Sequence, residues 1–207
     1  TCHAPLVSLP RVSLARLPTP LELVPRLLPA VLGAQADLPQ LYLKRDDLTG
    51  LAFGGNKIRK LEFVLAAALE NGAKTLITTG AAQSNHCRQT AALAARFGMR
   101  CILVLNGDSE AQPSGNLLLD RLFGAEIVWT PRADRQRTMD QVFQQAWEDG
   151  QRPYLIPLGA SDPIGTLGYT AAFFEFLEQE TPVDWIVLAS SSGGTQAGLV
   201  LGARRAN

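Results

Sequence analysis

Lys57 follows Phe53-Gly54-Gly55-Asn56, and that order is suited to covalent chemistry. Two glycines let the backbone turn tightly, and Asn56 is an N-cap type of residue, so Lys57 falls in the first turn of a helix. A helix start already carries positive partial charge, which disfavours an ammonium group there. Desolvation would lower the amine's pKa further and make it a better nucleophile toward a carbonyl. Taken alone, the same stretch also fits a solvated basic helix start.

Two further loops are rich in groups that bind anions. Gly80-Ala81-Ala82-Gln83-Ser84-Asn85-His86-Cys87 follows a strand-like run at Thr75–Thr79. Ser84 and Asn85 can open a helix there, and the N–H groups of that first turn suit a carboxylate. An ordinary cap explains Ser84 or Asn85 singly but not the whole polar run. His86 reads as a hydrogen-bonded structural group and Cys87 as packing. The third loop, Ser190-Ser191-Ser192-Gly193-Gly194-Thr195, follows the apolar run Asp184–Ala189. Successive N–H groups with Ser and Thr hydroxyls suit a phosphate. No phosphate-binding loop ending in Gly-Lys-Ser/Thr and no Gly-x-Gly-x-x-Gly follows a strand, which removes the main support for a triphosphatase or a dinucleotide site.

The elements that must position these loops alternate. Strands are expected at Leu41–Lys44, Thr75–Thr79, Cys101–Leu105, Glu126–Thr130, Tyr154–Pro157 and Asp184–Ala189. Amphipathic helices lie between them and stop near Gly72, Gly98, Gly124 and Gly150. This order predicts an α/β fold with open parallel sheets wrapped by helices, whose ligands collect at the carboxyl ends of the strands. The first forty residues, richer in proline, read as an arm or edge element.

Composition sets the outer bounds. The 207 residues are 46% hydrophobic and 18% charged, with nineteen basic residues balancing nineteen acidic ones. That is a globular balance, with no electrostatic reason to expect nucleic acid or an anionic membrane as partner. Arg132, Arg135 and Arg137 read as a solvated face. No apolar run approaches the roughly 20 residues of a membrane span, and the start lacks signal-peptide character. Cys2, Cys87 and Cys101 are too scattered for a disulfide framework, and His3 and His86 lack metal-ligand spacing. A cytoplasmic protein without a metal is the expectation.

Five stretches together resemble the tryptophan-synthase-β-like family of pyridoxal-phosphate enzymes. They are Leu43-Lys44-Arg45-Asp46-Asp47, Gly54 to Glu62, Gln83 to Ala92, Gly165-Thr166-Leu167-Gly168-Tyr169 and Ser192 to Gly198. They occur in the family's order, and they look most like its branch of D-cysteine desulfhydrases and 1-aminocyclopropane-1-carboxylate deaminases. The resemblance implies that Lys57 is the Schiff-base lysine, that Asn85 lies near the cofactor's phenolic oxygen, and that Ser84, Asn85 and His86 receive the substrate carboxylate. Ser191, Ser192, Gly193, Gly194 and Thr195 would hold the phosphate, with Lys60 adding a charge. It further implies a smaller domain at 51–160, a larger one from 1–50 and 161–207, pyridoxal 5'-phosphate between them, and a homodimer.

His86 followed by Arg88-Gln89-Thr90 looks like the desulfhydrase side, because deaminases tend to carry glutamine in the histidine's place. The deaminase remains the alternative, and a non-catalytic cofactor-binding fragment is the alternative of another class. Relatives of this kind continue well past the phosphate loop, so the expectation is a piece of a longer protein, with the pyridine-nitrogen partner and a proton-transferring tyrosine beyond Asn207. None of Tyr42, Tyr154 and Tyr169 is assigned that role.

Overall fold

A computed structural model describes residues 9–33, 37–107 and 112–206. Cys2 and His3 lie outside the described residues. Four parallel strands form the central sheet in the order β5-β4-β3-β6: β3 (Thr75–Ala81), β4 (Arg100–Asn106), β5 (Glu126–Trp129) and β6 (Pro153–Leu155). β3 and β4 are buried nearly throughout because helices cover both faces of the sheet. A separate antiparallel pair joins β1 (Leu21–Leu23) to β2 (Tyr42–Lys44), with the short helix α1 (Leu27–Leu32) between them.

Among the longer helices, α2 (Lys57–Glu70), α3 (Asn85–Arg96), α4 (Gly115–Leu122) and α5 (Arg135–Glu148) precede or follow the strands of the main sheet. Gly72, Gly98, Gly124 and Gly150, all at positive φ, follow their ends as the sequence predicts. The core runs from Ile58, Leu61 and Leu65 of α2 through Leu76, Leu103 and Leu105 to Leu93 and Leu117. Met139 and Ala146 of α5 close the opposite face over Ile77, Ile102 and Val104. No helix among the described residues is long and apolar enough to cross a membrane.

The last two helices, α6 (Pro163–Glu178) and α7 (Gly194–Ala206), pack against each other, and α6 packs on α2. Their approach depends on glycines: a Cβ on Gly198 would lie 2.6 Å from the Tyr169 Cβ, and one on Gly202 would lie 2.6 Å from the Phe173 Cβ. The buried face of α7 is therefore Gly194, Gly198 and Gly202, rather than Leu199–Leu201.

Two expectations about strands need correction. Asp184–Ala189 forms no strand. It has no ladder partner among the described residues, with Trp185 86% and Val187 91% exposed, and a strand exists only beside another. Leu21–Leu23, hidden among prolines, does form one by pairing with β2.

Candidate active site

The site is built where β3 and β6 end and where α2, α3 and α7 begin. Helix α2 starts at Lys57 after the Gly54-Gly55 turn, whose glycines both have positive φ. Asn56 stands at the cap position, yet its side chain does not cap. Its Oδ1 accepts from Lys57 Nζ at 3.1 Å, and its Nδ2 donates to Thr195 Oγ1 at 3.4 Å. Burial lowers the Lys57 pKa below the ordinary lysine range.

One turn later, Lys60 is 1% exposed. Its Nζ donates to the Gly159 carbonyl and to Ser161 Oγ, each at 3.1 Å. Burial, and then the neighbouring charge of Lys57, push its pKa down to about 8. Ser161 Oγ lies 2.7 Å from Ser192 Oγ in the loop before α7. A Cβ on Gly194 would fall 2.6 Å from both Lys60 Nζ and Ser161 Oγ, so glycine alone leaves this cradle open. Lys57, Lys60, Ser192, Gly194 and Thr195 thus come together from chain segments far apart in sequence. Gly193 has positive φ and open space around its α-carbon, and Ser191 is exposed.

The second loop turns tightly from β3 into α3, with Ser84 as N-cap accepting from the Cys87 N–H at 3.3 Å. The N–H groups of Asn85 and His86 stand in the first turn, where the helix supplies no acceptor. Asn85 is exposed, whereas the His86 ring is buried. Thr78 Oγ1 gives its single proton to the Ile156 carbonyl at 2.8 Å, so at 2.8 Å from His86 Nε2 it must accept. His86 is therefore the neutral Nε2–H tautomer, and its buried Nδ1 has no partner. Burial, with help from Lys57 and Lys60, pushes its pKa down to about 3. His86 is a fixed structural group, and what it can offer a ligand is its backbone N–H. Burial likewise raises the Cys87 thiol to about 12, as fits packing.

Several participants have no role assigned from the sequence. Gln83 ties the loop to α4, with Oε1 accepting from the Asn116 N–H at 2.8 Å and Nε2 donating to the Ser114 carbonyl at 3.1 Å. Arg88 NH2 and Gln89 Nε2 both donate to the Gly54 carbonyl, fixing the turn before Lys57. Behind α2, Arg59 bonds Asp46, Glu175 and Thr19, and Tyr169 OH donates to Asp46 at 2.5 Å. Burial alone would raise the Glu175 carboxyl, but hydrogen bonds from Arg59 and Lys44 hold it near 2. Asp46, Arg59 and Tyr169 all belong to the sequence stretches singled out above, and the geometry gives them a supporting role.

Comparison with known proteins gives consistent results. A family model described as pyridoxal-phosphate dependent enzyme matches residues 12–207. The chain is 42% identical over 206 residues to a D-cysteine desulfhydrase of Klebsiella pneumoniae, covering 95% of this chain and 61% of that relative. It is 44% identical over 201 residues to a Pyrococcus horikoshii protein provisionally named a 1-aminocyclopropane-1-carboxylate deaminase, covering 95% and 59%. The chain thus spans about 60% of the length of these relatives. Among solved structures, an ACC deaminase homologue superposes with a TM-score of 0.90 at 42% identity, over 99% of this chain and 62% of that one. A pyridoxal 5'-phosphate-dependent aspartate racemase, at TM-score 0.70 and 23% identity over 90% of this chain and 53% of that one, shares the fold.

Proposed function

The chain belongs to the family of pyridoxal-phosphate dependent enzymes, and on that premise we propose that it carries the cofactor-anchoring part of a lyase of the D-cysteine desulfhydrase type. The reaction is β-elimination from a small amino acid, which with water gives pyruvate, ammonia and sulfide. The observation that carries this reading is the half-buried amine of Lys57 beside the glycine cradle of Lys60, Ser161, Ser192 and Gly194.

These residues fit the group. Lys57 Nζ would hold the cofactor's aldehyde carbon, and an amine whose charged form is disfavoured by burial is suited to that bond. The N–H groups at the start of α7 and the Ser192 and Thr195 hydroxyls would hold the phosphate, above the charge of Lys60. Ser84, Asn85 and His86 would receive the substrate carboxylate through the first turn of α3, and Asn85 would face the ring oxygen. When bound, the cofactor supplies an electron sink next to the substrate's Cα. Lys57 Nζ, whose charged form burial disfavours, is the group able to take a proton from Cα.

The division into a smaller domain over 51–160 and a larger one from the remainder belongs to the same proposal, and the grouping of β3 to β6 within 75–155 supports it. A cytoplasmic homodimer is the assembly that goes with it. Deamination of 1-aminocyclopropane-1-carboxylate is the second reading, favoured by the 42% identity and 0.90 TM-score to the deaminase homologue. Pyruvate release from D-cysteine and from the cyclopropane amino acid, measured side by side, separates the two. Turnover of the cyclopropane substrate alone would overturn the desulfhydrase reading. Lys57→Ala should abolish turnover and the lysine–cofactor adduct trapped by borohydride, and Lys57→Arg should not rescue either. Normal activity in Lys57→Ala would remove the assignment.

A further inference from the structure

We propose that Arg88 and Asn116 are positioning residues that fix the orientation of the Asn85 side-chain amide, with its NH2 group directed to the cofactor's ring oxygen. The proposal rests on the reading of Asn85 given above and adds what decides its orientation. Asn85 Oδ1 accepts from Arg88 NH1 at 3.1 Å and from Asn116 Nδ2 at 2.9 Å. Arg88 NH1 also donates to Asn116 Oδ1 at 2.9 Å. A guanidinium has only donors, so the atom that faces it in each amide must be oxygen. That single constraint sets both amides. Reversing Asn85 would point its NH2 group at two donors.

Both lone pairs of Oδ1 are used, the hydrogen bonds of the Asn85 amide among the described residues fall on that oxygen, and the residue is exposed, which leaves Nδ2 open. It is the one end of the amide left to meet a ligand, and it can only donate. A donor at a phenolic oxygen favours the ionised oxygen and lowers the pH at which the attached chromophore titrates. The two positioning residues are themselves held. Arg88 NH2 donates to the Gly54 carbonyl at 2.8 Å, in the turn that precedes Lys57. Asn116 donates through its N–H to Gln83 Oε1 and through Nδ2 to the Gln83 carbonyl, both at 2.8 Å. Asp120, one turn further along α4, acts on Arg88 as the opposite charge.

The test is the pH titration of the visible band of the cofactor-loaded protein, read without turnover. Asn85→Ala should raise the midpoint by about one pH unit, the worth of one neutral hydrogen bond. Asn116→Leu, which removes the donor at similar size, should shift it in the same direction by less. Arg88→Met should do the same, and Arg88→Lys should recover part of the shift because an ammonium still presents only donors. Melting temperature, followed in parallel, should not track these shifts. If Arg88→Met does not fold, Asn116→Leu decides alone, since Asn116 lies at a partly exposed helix start. A shift in Asn85→Ala with none in the Asn116 or Arg88 variants would overturn the positioning role and leave the Asn85 contact standing. No shift in Asn85→Ala would overturn both.

Discussion

Asp120 and His86 are both buried ionisable side chains, and they respond to burial in opposite chemical directions. Burial favours the neutral form of each, which lowers the pKa of His86 and raises that of Asp120. Neither carboxyl oxygen of Asp120 has a hydrogen-bond partner among the described residues, and burial raises its pKa to about 7 against the lowering effect of Arg88. Because the folded pKa exceeds the ordinary 3.8, folding resists ionisation. Stability from this residue is therefore full below about pH 4 and is lost as pH rises through 7. Asp120→Asn should melt near the native protein at pH 4 and progressively above it up to pH 7.5, by at most about 4 kcal/mol. Thermal melts across that range check it, and a constant difference would refute the coupling. The sequence marked Lys57 as a candidate because a lysine among Gly, Gly and Asn at a helix start is unusual in type and place, and the structure places it there, half-buried. The sequence did not make Asp120 or Asn116 legible. An aspartate and an asparagine on a short amphipathic helix look like solvent-facing residues until the tertiary contacts are known.

At the scale of elements, glycine has two separate uses in the loop before α7. Gly193 is needed for its backbone, with φ of +80° and open space around the α-carbon. Gly194 is needed for space, because a Cβ there would strike the Lys60 ammonium and Ser161. Gly193→Ala should therefore cost only the strain of a left-handed residue, about 1 kcal/mol and no more than roughly fivefold in cofactor affinity. Gly194→Ala should displace Lys60 and weaken cofactor binding by tenfold or more, a larger effect than Thr195→Ala. A fluorescence titration with pyridoxal phosphate measures all three, and equal losses in the two glycine variants would contradict the distinction. The helices were readable because their apolar spacing and terminal glycines act locally. The expected strand at Asp184–Ala189 failed because β-branched composition gives a segment that could pair and says nothing about what lies beside it. The Gly194, Gly198 and Gly202 stripe was also missed. Beside Leu199–Leu201 it looks like the weaker face, and only the packing of α7 on α6 shows it to be the buried one.

At the scale of the whole molecule, the site depends on α2 being held from both sides. Its inner end presents Lys57 and Lys60, and its outer side carries the N-terminal arm. Glu62, fully buried, is the link: Oε1 accepts from the N–H groups of Leu14 at 2.7 Å and Ala15 at 2.8 Å, and Oε2 pairs with Arg11 at 2.6 Å. The sequence located an arm from its prolines and irregular spacing, but a glutamate in the middle of α2 looks like any surface helix residue. Only the arm's backbone reveals why an acid belongs there. Glu62→Ala leaves two N–H groups and an arginine without their acceptor, at about 2–4 kcal/mol in total, because Arg11 can still turn to solvent. Glu62→Gln keeps an oxygen for the Leu14 and Ala15 N–H groups and loses only the Arg11 pair, so it should cost well under half of that. Limited proteolysis should then cut Glu62→Ala first around residues 10–16, while Glu62→Gln resists nearly as the native protein does. The α2 end at Lys57 lies more than one helical turn away, so loosened packing should weaken cofactor binding in Glu62→Ala without removing the lysine adduct. If Glu62→Ala resists proteolysis and melts as the native protein does, the arm is held by its apolar contacts, Val12 and Leu14 foremost, and Glu62 has no anchoring role.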